Sequence, residues 1–185
     1  MMNQLLYGMV VMLGVSLGGI AQEARDIIIA DFEGKDYGAW KVTGEAFGTG
    51  PAQGPLPGQG QFSGFRAKGL ANSFLGEDQP VGTLTSPEFR IERKFINFLI
   101  GGGAHQGKTC MNLLVGGKIV RTATGGDNEA LDPAFWDVGA FAGKTAVIVI
   151  VDNESGGWGH IRMGSVNKID NHQLNRAKQL PELPL

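Results

Sequence analysis

Residues 109–124, TCMNLLVGGKIVRTAT, decide the fold. Two β-forming runs, Thr109 to Val115 and Lys118 to Thr124, flank Gly116-Gly117. Two strands about a two-residue Gly-Gly turn read as a β-hairpin. Similar runs continue outward on both sides. Upstream lie Asp26 to Phe32, Trp40 to Phe47, Leu70 to Leu75, Val81 to Phe89 and Phe95 to Ile100. Downstream lie Thr145 to Val151 (TAVIVIV) and His160 to Ile169. Phe95 to Ile100 is apolar on both faces apart from Asn97, as a central strand requires. Short strands at regular spacing, with no long stretch of helical period, predict a jelly-roll-like β-sandwich of eight or nine antiparallel strands.

Composition agrees. Gly supplies 30 of 185 residues, and an interior helical Gly costs about 1 kcal/mol against Ala, so a mostly helical chain is excluded. Ten Phe and three Trp, within 42% hydrophobic residues, supply a core. The net charge of −2 offers no basic field for nucleic acid. The single Cys110 excludes an intramolecular disulfide and a Cys-based zinc site, and it reads as a buried structural thiol.

Residues 1–21 carry no charged side chain, hold an apolar run from Leu5 to Ile20, and end in Gly19-Ile20-Ala21. The pattern predicts a signal peptide cleaved after Ala21, hence a secreted or periplasmic protein with no membrane contact after cleavage. Residues 22–170 then form the β-sandwich domain. Residues 171–185 (NHQLNRAKQLPELPL) lose the β pattern and read as a polar tail or the start of a linker. The Gly- and Pro-rich stretch from Gly48 to Gly69 is too long for a plain connection and reads as a surface loop.

Chemistry-bearing motifs are few. His105, His160 and His172 lie far apart and none belongs to an HExxH pair. No GxSxG elbow is present, and Gly101-Gly102-Gly103 lacks the Lys-Ser/Thr of a phosphate loop. Asp31 and Glu33, at the end of the first strand, are hard oxygen donors suited to a structural calcium. Asp127, Asn128, Glu129 and Asp132 form a second oxygen-rich group. For both groups, solvated acidic turn residues are the favoured reading. Carboxylate pairs such as Glu33 with Glu154 or Asp152 leave a small glycoside hydrolase open as an alternative.

The segment Asp152 to Ile161, DNESGGWGHI, is the most informative. Gly156, Gly157 and Gly159 surround Trp158, and His160 adds a planar donor and acceptor. An aromatic face beside polar planar groups is how proteins hold sugars. Two readings stand: a sugar platform, or a Trp folded back over the end of the sandwich. Asn72, His105 and Arg121, near strand ends, are further candidate ligand contacts. A structural module for protein contacts is a third reading of the chain.

The ordered series Asp31-Phe32-Glu33, Gly69 to Phe74, Gly82 to Phe89, Phe95 to Gly103, Thr122 to Gly125, Trp136-Asp137-Val138 and Gly156 to Ile161 spans nearly all of residues 26–170. It resembles the β-sandwich accessory module of bacterial levanase- and fructanase-like proteins of glycoside hydrolase family 32. The resemblance implies a secreted, non-catalytic carbohydrate-binding module for fructan or a related glycan, associated with a glycoside hydrolase. That family's catalytic propeller motifs are absent from the sequence, so no catalytic residue and no enzyme activity are expected. One departure is Gly164, where the resembled pattern places an Asp. It puts in doubt any ligand contributed from that position.

Overall fold

The computed structural model describes residues 25–64, 67–170, 178–181 and 183. The expected signal peptide, and residues 171–177 of the expected tail, lie outside the described residues. Among the described residues there are twelve strands: β1 (Ile27–Ala30), β2 (Lys41–Gly44), β3 (Ala71–Asn72), β4 (Gly82–Thr85), β5 (Phe89–Arg90), β6 (Phe95–Gly102), β7 (Thr109–Val115), β8 (Lys118–Ala123), β9 (Asn128–Asp137), β10 (Thr145–Asp152), β11 (Ile161–Ile169) and β12 (Lys178–Gln179). Among the described residues, no helix is long and apolar enough to cross a membrane.

The chain folds as hairpins nested within hairpins. At the centre, β7 and β8 pair antiparallel, with Val115 opposite Lys118. Their turn needs positive φ at both central residues, and Gly116 (58°) and Gly117 (76°) supply it without a Cβ clash. Outside this hairpin β6 pairs with β9, then β4 with β10, then β1 with β11, all antiparallel. Successive shells alternate between two sheets, β1-β11-β6-β9-β12 and β2-β4-β10-β7-β8. This is the expected β-sandwich, in jelly-roll order. Two short strands fill the edges: β3 shares β11 with β1, and β5 shares β10 with β4.

Strand alternation builds the core. In β10, Ala146, Ile148, Ile150 and Asp152 point inward and are buried. From β6, Ile96, Phe98 and Ile100 face them, with Met111 and Leu113 of β7 in the same apolar cluster. Trp136 of β9 sits 4.7 Å from the Phe98 ring and donates its indole N–H to the Thr122 carbonyl at 3.3 Å. The bond satisfies the buried polar end of the ring.

Three elements depart from the sequence reading. Pro133 and three neighbouring acidic or amide side chains argue against a strand, yet β9 is the longest strand, with Pro133 opposite Leu99. Pairing with β6 over its whole length overrides local preference. The expected strand Val81 to Phe89 is split at Ser86-Pro87. There Ser86 Oγ accepts the Ile148 N–H at 2.9 Å, completing the ladder where the chain bends past the proline. Finally, Lys178–Gln179 is not free tail. It adds β12 parallel to β9, and Leu180 packs against the core.

Gly164 is a packing position. It lies at a register irregularity of β11, and a Cβ placed there would come 2.9 Å from Leu99 Cβ. An Asp at this site has no room unless Leu99 moves. Gly164→Ala is expected to lower unfolding free energy by about 1–3 kcal/mol through overpacking. Denaturant titration checks this; equal stability of Gly164→Ala and the parent would refute the packing argument.

Candidate functional site

The polar groups gather at one end of the sandwich, where β10 stops, β11 starts and β6 ends. Gly103, just past β6, donates its N–H to the His160 carbonyl at 2.8 Å. His160 precedes β11 and is 3% exposed. Its Nδ1 lies 2.7 Å from Asp78 Oδ1. A carboxylate only accepts, so Nδ1 carries the proton and Nε2 is the lone-pair nitrogen. Nε2 is buried without a hydrogen-bond partner among the described residues. Burial pushes the imidazole pKa below its ordinary value, against the opposing pull of Asp78, so the ring is neutral near pH 7. The ring packs edge-on against Phe74 at 4.9 Å and lies 5.8 Å from Trp158.

Trp158 is half-buried and adopts φ of 62°, in the left-handed region that bulky residues avoid. The flanking glycines do not take that conformation themselves. Gly159 is needed for another reason: a Cβ on it would meet the Glu154 carbonyl oxygen at 2.3 Å. The turn is held from three sides. Gly159 N–H donates to the Gly156 carbonyl (2.8 Å), His105 Nε2–H to the Gly157 carbonyl (3.1 Å), and Gln79 Nε2 to the Ser155 carbonyl (3.1 Å). Lys108 pairs with Glu154 at 2.7 Å beneath it. Such strain, of order 1–3 kcal/mol, persists only where surrounding contacts over-determine it. Glu77, beside Asp78, shares the conformation with φ of 65°.

Two more buried groups adjoin. Arg162, two residues beyond His160 on the same side of β11, is 0% exposed. It donates to Glu129 Oε2 (2.6 Å) and the Asn128 carbonyl (2.9 Å), and its guanidinium lies 4.8 Å from the Phe62 ring centroid. Asn72, opposite Arg162 in the β3–β11 pair, donates to Gln59 Oε1 at 2.8 Å. The long Gly48–Gly69 loop thus covers this face through Gln59 and Phe62. It is tied down by bridges Ala52–Leu70 and Ser63–Ala130. Asp152, at the end of β10, is 1% exposed, its Oδ1 accepts the Glu154 N–H at 3.5 Å, and burial pushes its carboxyl up to about 7.

The fold therefore brings together Trp158, His160, His105 and Asn72. It does not bring Arg121 to them. Arg121 Nε and Nη2 donate to the Asp137 carbonyl at 3.1 and 2.8 Å. Asp137 pairs with Phe95, the far end of β6 from Gly102, about 23 Å away at 3.3 Å per residue. Asp31 and Glu33 lie where β1 gives way to β3 along β11. Glu33 Oε1 accepts the Lys68 and Gly69 N–H groups (2.9 and 3.0 Å), and Asp31 Oδ1 accepts the Glu33 N–H (3.1 Å). Among the described residues, no group of three or more His, Cys, Asp or Glu side chains is placed to hold a metal ion. In the second acidic group, Asp127 caps the Ala104 N–H and Glu129 is spent on Arg162. Asp78 had no sequence signal; it sits in an ordinary-looking turn, Gly76-Glu77-Asp78-Gln79-Pro80, and only folding carries it to His160.

The buried pair of titrating groups makes stability pH-dependent in opposite senses. Asp152 has a folded pKa near 7 against an ordinary 3.8, so its contribution is full below about 3.8 and is lost as pH rises through 7. His160 has a folded pKa below 6.5, so its contribution is present above 6.5 and is lost as pH falls through the folded value. Asp152→Asn should remove the alkaline loss: between pH 5 and pH 8 the parent is expected to lose about 2–4 kcal/mol more than the variant. Thermal or denaturant unfolding across that range checks it, and parallel curves would show that Asp152 does not titrate as described.

No family model matches this chain. A protein of Aspergillus rugulosus named "Putative glycosyl hydrolase ecdE" is 42% identical over 143 residues, which is 76% of this chain. The chain spans 20% of that relative's length. The cleaved K3 adhesin domain of Lys-gingipain from Porphyromonas gingivalis w83 is similar in structure, at 16% identity and a TM-score of 0.48, covering 77% of this chain and 98% of that one. The first match corrects one expectation. The sequence reading excluded enzyme activity, but the relative carries a glycosyl hydrolase name, and that exclusion does not stand. The name of that relative is glycosyl hydrolase, and neither match supports the narrower levanase-module resemblance.

Proposed function

We propose that this chain is a carbohydrate-engaging β-sandwich unit of a glycosyl hydrolase, with the Trp158 turn as its sugar-facing surface. The observation that carries the reading is the Trp158 conformation. A half-exposed indole is held in a strained backbone state by contacts from two other loops, beside a buried His–Asp pair. A ring that merely covered the core would not need that strain. Rigid aromatic surface next to fixed hydrogen-bonding groups suits the C–H faces and hydroxyls of a sugar. The 42% identical relative supports the glycosyl hydrolase setting. Fructan as the glycan, calcium held by Asp31 and Glu33, and export directed by residues 1–21 belong to the same proposal.

A second reading places chemistry at the same end. Asp152 keeps a proton to about pH 7, and a carboxylic acid protonated at neutral pH is what acid-catalysed glycoside cleavage uses. Its 1% exposure means that substrate reaches it only if the segments covering it move aside.

One experiment addresses both. Levan, inulin, sucrose and fructose are titrated with and without calcium, following Trp fluorescence and released reducing sugar. Saturable binding that weakens at least tenfold in Trp158→Ala is expected, since an aromatic stacking surface is lost. Product formation abolished by Asp152→Asn would establish the second reading. Absence of any glycan response would remove the proposal.

A further inference from the structure

We propose that Asp78, rather than His160, is the side chain that meets a bound sugar at this end, and that His160 acts as its positioning residue; this rests on the carbohydrate reading above. The argument starts from access. The His160 ring is 3% exposed, packed against Phe74 and close to Trp158, and its Nδ1–H is committed to Asp78. Neither ring nitrogen is offered to the surface. The Asp78 side chain is 22% exposed. Its Oδ1 accepts from His160, while Oδ2 has no hydrogen-bond partner among the described residues.

Charge decides what Oδ2 can do. A protonated His160 would cancel the carboxylate charge as a salt bridge. Burial holds the imidazole neutral instead, so the pair keeps the full negative charge of Asp78. A hydroxyl donating to an ionised carboxylate makes a charge-assisted bond, roughly twice as strong as a neutral one. The carboxylate is also fixed in place. Glu77, in its left-handed conformation, donates its N–H to the Phe74 carbonyl at 3.1 Å, and Gln79 is bonded to Ser155 in the Trp158 turn. Clamped on both sides and oriented by His160, Asp78 presents its free oxygen at little ordering cost. The exposed Glu77 next to it adds a second negative charge. The site therefore takes a neutral, hydroxyl-rich sugar and rejects uronate-bearing ones.

The test uses the full chain and fixed probes: levan, inulin, cello-, malto- and xylo-oligosaccharides as neutral ligands, and oligogalacturonate as an anionic one. A neutral probe is expected to bind, and Asp78→Asn to weaken it about tenfold or more while Tm stays within a few degrees. His160→Asn keeps an N–H donor toward Asp78 and should stay within about threefold of the parent, whereas His160→Ala should resemble Asp78→Asn. Parent-like affinity in Asp78→Asn, with binding still lost in Trp158→Ala, overturns this assignment and leaves the carbohydrate reading standing. Tighter binding of oligogalacturonate than of every neutral probe also overturns it. No binding of any probe by the parent overturns both. A ligand-free readout guards against variants that fail to fold: the long-range ¹H–¹⁵N spectrum of the His160 ring should show the Nδ1–H tautomer, and an Nε2–H tautomer would sink the positioning role.

Discussion

The β7–β8 hairpin closes because two successive turn residues can take positive φ, and the pairs β6–β9, β4–β10 and β1–β11 are laid around that closure. Antiparallel partners must exchange backbone hydrogen bonds over their lengths, because a buried unpaired N–H or C=O is costly. Once β7 meets β8, the chain on either side can pair only in order: β6 with β9, β4 with β10, β1 with β11. Alternation of the shells between two sheets then places inward-facing Ile96, Phe98, Ile148, Ile150 and Trp136 against one another. The core is a consequence of the nesting, and so is the meeting of loops at the end where β6 stops and β11 starts.

That end concentrates unfavourable features. Of six buried side-chain polar atoms without a hydrogen-bond partner among the described residues, three, on Asp152, His160 and Arg162, lie there. Trp158 and Glu77 hold unfavourable backbone conformations nearby. Each feature opposes folding, and the framework tolerates them because the nested sheets supply stability elsewhere. The Gly48–Gly69 loop belongs to the same arrangement. Through Gln59 and Phe62 it covers Asn72 and Arg162, so a stretch that looks like surface connection in the sequence is a lid on buried polar groups.

The relationship to a glycosyl hydrolase bears on the whole relative, of which this chain spans one fifth. It sets aside the argument that missing propeller motifs make the chain a non-enzyme. Motif absence speaks only of one catalytic apparatus, and a buried carboxyl that retains its proton to neutral pH is chemistry that no linear motif announces.

The sequence by itself determined the sandwich, because alternation in Thr145–Val151, the Gly116-Gly117 turn and the density of β-branched residues are local signals. It also marked the Trp158–His160 segment through its glycines. Tertiary structure alone decided the rest. β9 was hidden by Pro133 and its acidic residues until β6 offered a partner along ten residues. Asp78 joined His160 across 82 positions of sequence, and Arg121 was carried to the opposite end. Local propensity acts between neighbours in the chain, whereas a binding site is made by which loops the strand order brings to one end. That order is a property of the closed fold and not of any one segment.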